Sequence, residues 1–292
     1  DGGRRHYVRR CWRKSFIGAS LAGQIQYIMT LFLFGLTSGA TVLTAQYWGK
    51  GDRDAIEKIL GMAVKAAVCV TALFTVSALA VPELLMQVFT NDPVVVSEGV
   101  KYLRIVAFTY IMMGVTQAYL YIMRSVERVV VATVVYLLSL ICNIIMNAIF
   151  IFGLLGLPKM GVAGAALATI LSQFLSAVLV LGALMRTKDM YRLEWKKLRI
   201  DGIMLKRIIR IGLPAGMESA MYSISNVIVQ AGVNTLGTDS VAAWAAYGKV
   251  DGLFWMMVSA LGISATTFIG QNYGAKKVER VHQGVRVCMM LA

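Results

Sequence analysis

Residues 208–275 read IIRIGLPAGMESAMYSISNVIVQAGVNTLGTDSVAAWAAYGKVDGLFWMMVSALGISATTFIGQNYGA. Two apolar arms flank the turn Gly237-Thr238-Asp239, and each is long enough to cross a bilayer as a helix. Yet the first arm carries Glu218, and the second carries Lys249 and Asp251. At about 1.5 Å per residue, Glu218 lies roughly 15 Å in from Ile208, and Asp251 about as far in from Val241. In a hydrocarbon core about 30 Å thick, both acids fall near the midplane. Ionisable groups at that depth are costly and mark ion or substrate pathways.

The rest of the chain reads as the wall around such a pathway. Of 292 residues, 58% are hydrophobic and 15% charged, with a mean hydropathy of +0.68. This is the composition of a polytopic membrane protein, not of a soluble domain. The net charge of +14 does not point to nucleic acid, because the bases sit in short stretches between apolar runs, as membrane loops do. Cys11, Cys69, Cys142 and Cys288 are far apart and show neither metal spacing nor a disulfide framework. His6 and His282 both lie outside the apolar runs. The chain starts without Met and stops inside an apolar run, so a fragment is expected.

Seven apolar runs predict membrane helices: 16–46, 56–81, 98–123, 129–152, 161–185, 208–236 and 241–271, with an eighth beginning near 278. Loops rich in Lys and Arg alternate with loops holding Glu83, Asp92 and Asp239, which puts loops 47–55, 124–128, 186–207 and 272–280 in the cytoplasm. The first run then travels from outside to inside, and the basic residues of 1–15 lie on the wrong side of the membrane. That conflict is resolved either by a missing preceding helix and a non-native tail over 1–15, which the charge rule favours, or by a native tail with an inverted or half-inserted first helix. The expected organisation is a 16–185 N-terminal lobe of five membrane helices lacking its first, a 186–207 cytoplasmic linker, and the start of a C-terminal lobe over 208–292. Leu193 and Trp195 among the linker's charges leave open a segment lying on the membrane surface or a solvated connection.

An internal repeat supports two lobes. Leu36, Ala40, Thr41, Gln46 and Gly49 recur 225 positions later as Leu261, Ala265, Thr266, Gln271 and Gly274, and both copies end in Gln-x-x-Gly before a basic loop. Copies with the same orientation fit a parallel repeat. The fold expected is all-α, a polytopic membrane helix bundle of two pseudo-symmetric lobes, the second truncated.

Four ordered stretches resemble the multidrug and toxic compound extrusion (MATE) transporters. They are Thr44-Ala45-Gln46-Tyr47-Trp48-Gly49-Lys50-Gly51-Asp52, Asn147 to Gly153 with Pro158 to Thr169, Ile211-Gly212-Leu213-Pro214-Ala215-Gly216, and Gly270-Gln271-Asn272-Tyr273-Gly274-Ala275. The resemblance runs from about residue 16 to 292 and implies helices two to eight of twelve and the start of the ninth. It further implies two six-helix lobes, a central cavity with alternating access, and export of organic cations driven by Na⁺ or H⁺. The seventh-helix Glu of one branch of that family falls about a turn beyond Glu218, where this chain has Tyr222.

Candidate site residues follow from spacing. Trp244, Tyr247 and Trp255 share a helical face with Asp251, so Asp251 reads either as the centre of an aromatic-ringed receptor for an organic cation or as a structural hydrogen-bond acceptor with Trp244 in the interfacial belt. Lys249 points about 200° away from Asp251, so it needs a carboxylate on another helix, and Glu218 is the candidate by depth. Glu218 is either that partner or a titrating acid. Tyr222, Asn226, Gln230 and Asn234 recur at i+4, and Gln24 and Gln26 lie on the first run. Such polar positions line a wet cavity or bond helices together. Gly35-Leu36-Thr37-Ser38-Gly39 fits a close helix contact.

The function expected is a secondary transporter for organic cations in the plasma membrane, working as a monomer with Na⁺ or H⁺ as coupling ion and no cofactor or metal. One alternative is a related flippase for lipid-linked oligosaccharides. The other is an intramembrane enzyme. Gly49-Lys50-Gly51-Asp52 matches the Gly-x-Gly-Asp of intramembrane aspartyl proteases, but the chain holds no Tyr-Asp pair.

Overall fold

Every long apolar run forms a helix. The computed structural model describes residues 2–154, 158, 160–186 and 201–291, leaving aside the side chains of 2–13 and a few others. Its helices are α1 (Gly2–Lys50), α2 (Arg53–Ala80), α3 (Pro82–Gln87), α4 (Pro93–Ser125), α5 (Val129–Phe152), α6 (Val162–Arg186), α7 (Gly202–Asn234), α8 (Thr238–Gly274) and α9 (Val278–Leu291). There is no strand among the described residues. Six of these helices, α1, α2, α4, α5, α6 and α8, contain segments long and apolar enough to cross a membrane. α7 has the length, but Arg207, Arg210, Glu218 and its Ser and Asn residues interrupt its apolar character.

Two boundaries differ from the hydropathy reading for local reasons. α7 begins six residues before the apolar run, because Asp201 caps it by accepting from the amides of Ile203 at 3.0 Å and Met204 at 3.3 Å. The basic residues that follow continue the helix beyond its apolar part. The short α3 has no apolar signature of its own and is started by Pro82 in its first turn. Residues 187–200 of the expected linker lie outside the described residues.

The packing divides the chain into two units. The first comprises residues 1–33, 63–120 and 129–188. Its core gathers Met29, Leu33, Ala67, Leu103, Val106, Tyr110 and Tyr119, all fully or almost fully buried. Here α1 and α4 approach closely, since a methyl group added at Gly18 would come within 2.7 Å of the Gly99 amide nitrogen. Lys14 Nζ donates to Asp92 Oδ2 at 2.8 Å, and Ser15 Oγ donates to Glu98 Oε2 at 2.6 Å. The expected tail thus contributes its last two residues to the packing. Asp92 Oδ1 also accepts from the amides of Val94 and Val95, capping α4.

The second unit comprises residues 34–62, 121–128 and 189–292. The C-terminal half of α1 packs here on α7, with Gly35 against Gly212 and Gly216, and Gly39 against Ile208 and Gly212. Positions rising along α1 meet positions falling along α7, so the two run antiparallel. The close contact expected of Gly35 and Gly39 is made with a second Gly-x-x-x-Gly on α7. α8 folds back on α7 and therefore runs in the same direction as α1.

The repeat is visible in the backbone. α1 ends with Gly51 at φ 74°, and α8 ends with Lys276, 225 positions later, at φ 58°. In the first copy the Gly51 amide donates to the Trp48 carbonyl and the Asp52 amide to the Tyr47 carbonyl, each at 3.0 Å. In the second the Lys276 amide donates to the Tyr273 carbonyl at 3.0 Å and the Lys277 amide to the Asn272 carbonyl at 2.9 Å. Both are Schellman turns at equivalent positions.

Two outcomes follow. A side chain at left-handed φ costs about 1 kcal/mol or more, so Lys276→Gly is expected to raise stability by about 1 kcal/mol, read from thermal unfolding in detergent. The hydrogen bond from Lys14, aided by the amides of Val94 and Val95 against partial desolvation, holds the Asp92 carboxyl below its usual range. A depressed folded-state pKa stabilises at pH above the unfolded value of about 3.9 and is lost as pH falls through the folded value. The stability gap between the native protein and Asp92→Asn should therefore be full at pH 6 and close below pH 4.

Candidate cation site

α7 and α8 form an antiparallel hairpin whose facing side chains are aromatic. Tyr222 meets Trp255 edge-on, with ring centroids 5.7 Å apart at 65°. Phe254 extends that cluster at 6.3 Å from Trp255. About two and three turns toward the start of α8, Tyr247 and Trp244 lie tilted against each other at 5.3 Å. Asp251 stands between the two clusters, and the Tyr247 hydroxyl donates to its Oδ1 at 3.1 Å. The face predicted from offsets of −7, −4 and +4 is thus assembled as a carboxylate flanked by rings. Such a face offers a charge and ring quadrupoles to one bound cation.

The expected pairing of Lys249 with Glu218 is not made, since no ion pair joins these two described residues. Register explains this. With Tyr222 opposite Trp255, Glu218 lies four residues nearer the start of α7 and so comes level with the neighbourhood of Ser259. Lys249 is ten residues away from that level, roughly 15 Å at 1.5 Å per residue. Counting inward from the start of each arm gave the two residues similar depths, but the arms are antiparallel and start at opposite ends. Both side chains are exposed in this chain.

The same register brings Asn226 level with Asp251. Tyr222 and Asn226 are exposed and Gln230 half-buried along the polar stripe of α7, and the side chain of Asn234 is not among those described. Gln24 is exposed on α1 within the first unit, and Gln26 is half-buried there.

A polar seam between α5 and α6 went unread in the sequence. Asn147 Nδ2 donates to Asn143 Oδ1 at 2.9 Å, Asn143 Nδ2 to Ser172 Oγ at 3.2 Å, and Ser172 Oγ to the Thr169 carbonyl at 2.9 Å. Asn147 Oδ1 and Ser139 Oγ are buried without a hydrogen-bond partner. Ser139, Asn143 and Asn147 recur at i+4, the same signal that picked out the stripe on α7. The ion pair of Glu98 with Lys101, at 2.6 Å near the start of α4, was likewise not singled out.

These features define a class: an all-helical, multi-pass membrane protein in which a helix and its terminal turn are repeated. Residues 16–149 and 214–292 match the MatE family, and the chain belongs to it. Relatives of the chain are named as probable multidrug resistance proteins. The probable multidrug resistance protein YoeA of Bacillus subtilis (strain 168) is 26% identical over 278 residues, covering 91% of this chain and 58% of the relative. The probable multidrug resistance protein NorM of Thermotoga maritima is 25% identical over 278 residues, covering 92% and 58%. Among solved structures, a MATE protein in its bent conformation aligns with a TM-score of 0.86 at 20% identity, over 96% of this chain and 62% of that one. An outward-facing multidrug resistance MATE family transporter of the MOP superfamily aligns at 0.85 and 19%, over 96% and 61%. These structural likenesses show the fold. The chain spans about three fifths of the length of the relatives it matches.

Because Lys249 and Glu218 are apart, Lys249→Met should not strand the acid. The double variant Lys249→Met/Glu218→Gln is expected to be additive within about 0.5 kcal/mol, measured as unfolding midpoints of the two single variants and the double.

Proposed function

We propose that the protein containing this chain exports small organic cations across the membrane by alternating access, drawing on entry of Na⁺ or H⁺. The observation that carries this reading is Asp251, bonded to Tyr247 and placed between two aromatic pairs on the α7–α8 hairpin. A charged side chain in a membrane helix costs roughly 2.5–3.5 kcal/mol on insertion scales, so its retention calls for a use. A monovalent organic cation matches one carboxylate and the ring faces beside it. The names of the relatives as multidrug resistance proteins agree with such a cargo. Ion or proton binding shifts the access equilibrium only by binding its two states unequally. The protein works in this reading as a single polypeptide within the bilayer.

The test is efflux of a fluorescent cation from proteoliposomes under separate Na⁺ and proton gradients. Asp251→Asn should lower efflux at least tenfold, with the amount of folded protein in the membrane unchanged. Tyr247→Phe removes only the hydroxyl and should weaken apparent affinity severalfold while sparing the maximal rate. Full efflux by Asp251→Asn would remove the site from consideration.

A further inference from the structure

α4 carries its own measure of the membrane. Residues 105–123 hold no acidic or basic side chain and are bracketed by Arg104 and Arg124. These 19 residues make about 28 Å of helix at 1.5 Å per residue, the depth of a hydrocarbon core of about 30 Å. Arg124 leads into the cytoplasmic loop 124–128, so Arg104 stands at the outer edge of that core. The turns of α4 before it, from Pro93 onward, project into the headgroups and beyond.

One face of α4 is open across this boundary. Val95, Val100, Leu103, Val106 and Ala107 are buried in the first unit. Ser97, Lys101, Arg104, Phe108 and Ile111 follow one another at i+3 and i+4, and all are exposed. Phe108 leaves 59% of its surface open and Ile111 38%. The stripe therefore changes from polar to apolar at Arg104. Side chains of a helix lean toward its N-terminus, so the Arg104 guanidinium rises toward the headgroups while Phe108 and Ile111 stay in hydrocarbon.

Charge on this stripe is unevenly matched. Lys101 Nζ donates to Glu98 Oε1 at 2.6 Å, and Ser15 Oγ donates to Glu98 Oε2 at 2.6 Å. Glu98 thus offsets Lys101. Among the described residues no ion pair offsets Arg104. A base on the outer side runs against the inside bias of Lys and Arg, and it calls for an anion there. The planar guanidinium fork matches two oxygens of a phosphate. The apolar half of the stripe directly beneath suits an acyl chain, for which a free phosphate has no use.

We propose that this face of α4 docks a singly anionic phospholipid of the outer leaflet, its phosphodiester on Arg104 and an acyl chain along Phe108 and Ile111. One unmatched base selects one negative charge. A zwitterionic lipid would bring a further cation beside Lys101 and Arg104. The site does not depend on the cargo reading.

The test uses the full-length protein containing this chain, in nanodiscs of equimolar phosphatidylglycerol and phosphatidylcholine. Phe108→p-benzoylphenylalanine is irradiated, and lipid adducts are read from the intact protein mass. Phosphatidylglycerol adducts should exceed phosphatidylcholine adducts severalfold. Adding Arg104→Gln should return the ratio to that of the bilayer with the thermal midpoint unchanged, and Arg104→Lys should keep part of the preference through its charge. Equal adducts in the parent, no lipid adduct at all, or a preference undiminished by Arg104→Gln would each overturn the site. Millimolar inorganic phosphate at constant ionic strength should leave the ratio as it was. A preference abolished by phosphate would assign a free-anion site and overturn the lipid. The parent ratio decides the proposal even where Arg104→Gln fails to fold.

Discussion

Close approach of one helix backbone to another is the constraint on which the second unit depends. Lipid offers apolar groups as good a solvent as protein does, so helices in a membrane gain little from hiding leucines against each other. They gain from contact, and contact is densest where Cβ is missing. Gly35 and Gly39 on α1 and Gly212 and Gly216 on α7 meet in this way, and Gly49 and Gly274 each meet a carbonyl of the opposite copy. Any side chain at Gly39, Gly49, Gly212 or Gly274 would strike backbone, which cannot turn aside as a flexible side chain can.

The helix ends depend on a different balance. Of the left-handed turns among the described residues, those at Gly51, Glu127 and Lys276 close with the amide of the next residue returning to the helix. Asp52, Asp92 and Asp201 then open α2, α4 and α7 by accepting from the first free amides. Turn and cap together satisfy backbone groups that hydrocarbon would leave bare. Asp92 adds a bond from Lys14 and so ties the start of α4 to α1.

Much of this was legible in residue order. Hydropathy located the long helices, loop charge gave their alternation, and the 225-residue offset gave a repeat that the paired Schellman turns reproduce. The face of Asp251 with Trp244, Tyr247 and Trp255 came from helical spacing alone. The failures share a cause. A periodic pattern reports which face of a helix is polar, but not which level of a neighbour that face meets. Hence Glu218 was matched to Lys249, and hence Asn143 and Ser172 were not matched across α5 and α6. The start of α7 at Gly202 was missed because a cap, not an apolar residue, sets it.

α8 has 37 residues, about 55 Å of helix at 1.5 Å per residue. A hydrocarbon core of about 30 Å cannot contain such a rod upright. It leans, or it projects into the headgroups, and the lean is set by bilayer thickness as well as by its neighbours. The last turns of this rod carry Gly270 and Gly274. Lipids with shorter or longer acyl chains therefore favour different leans of α8. Through α8, the membrane itself becomes a mechanical input to the chain.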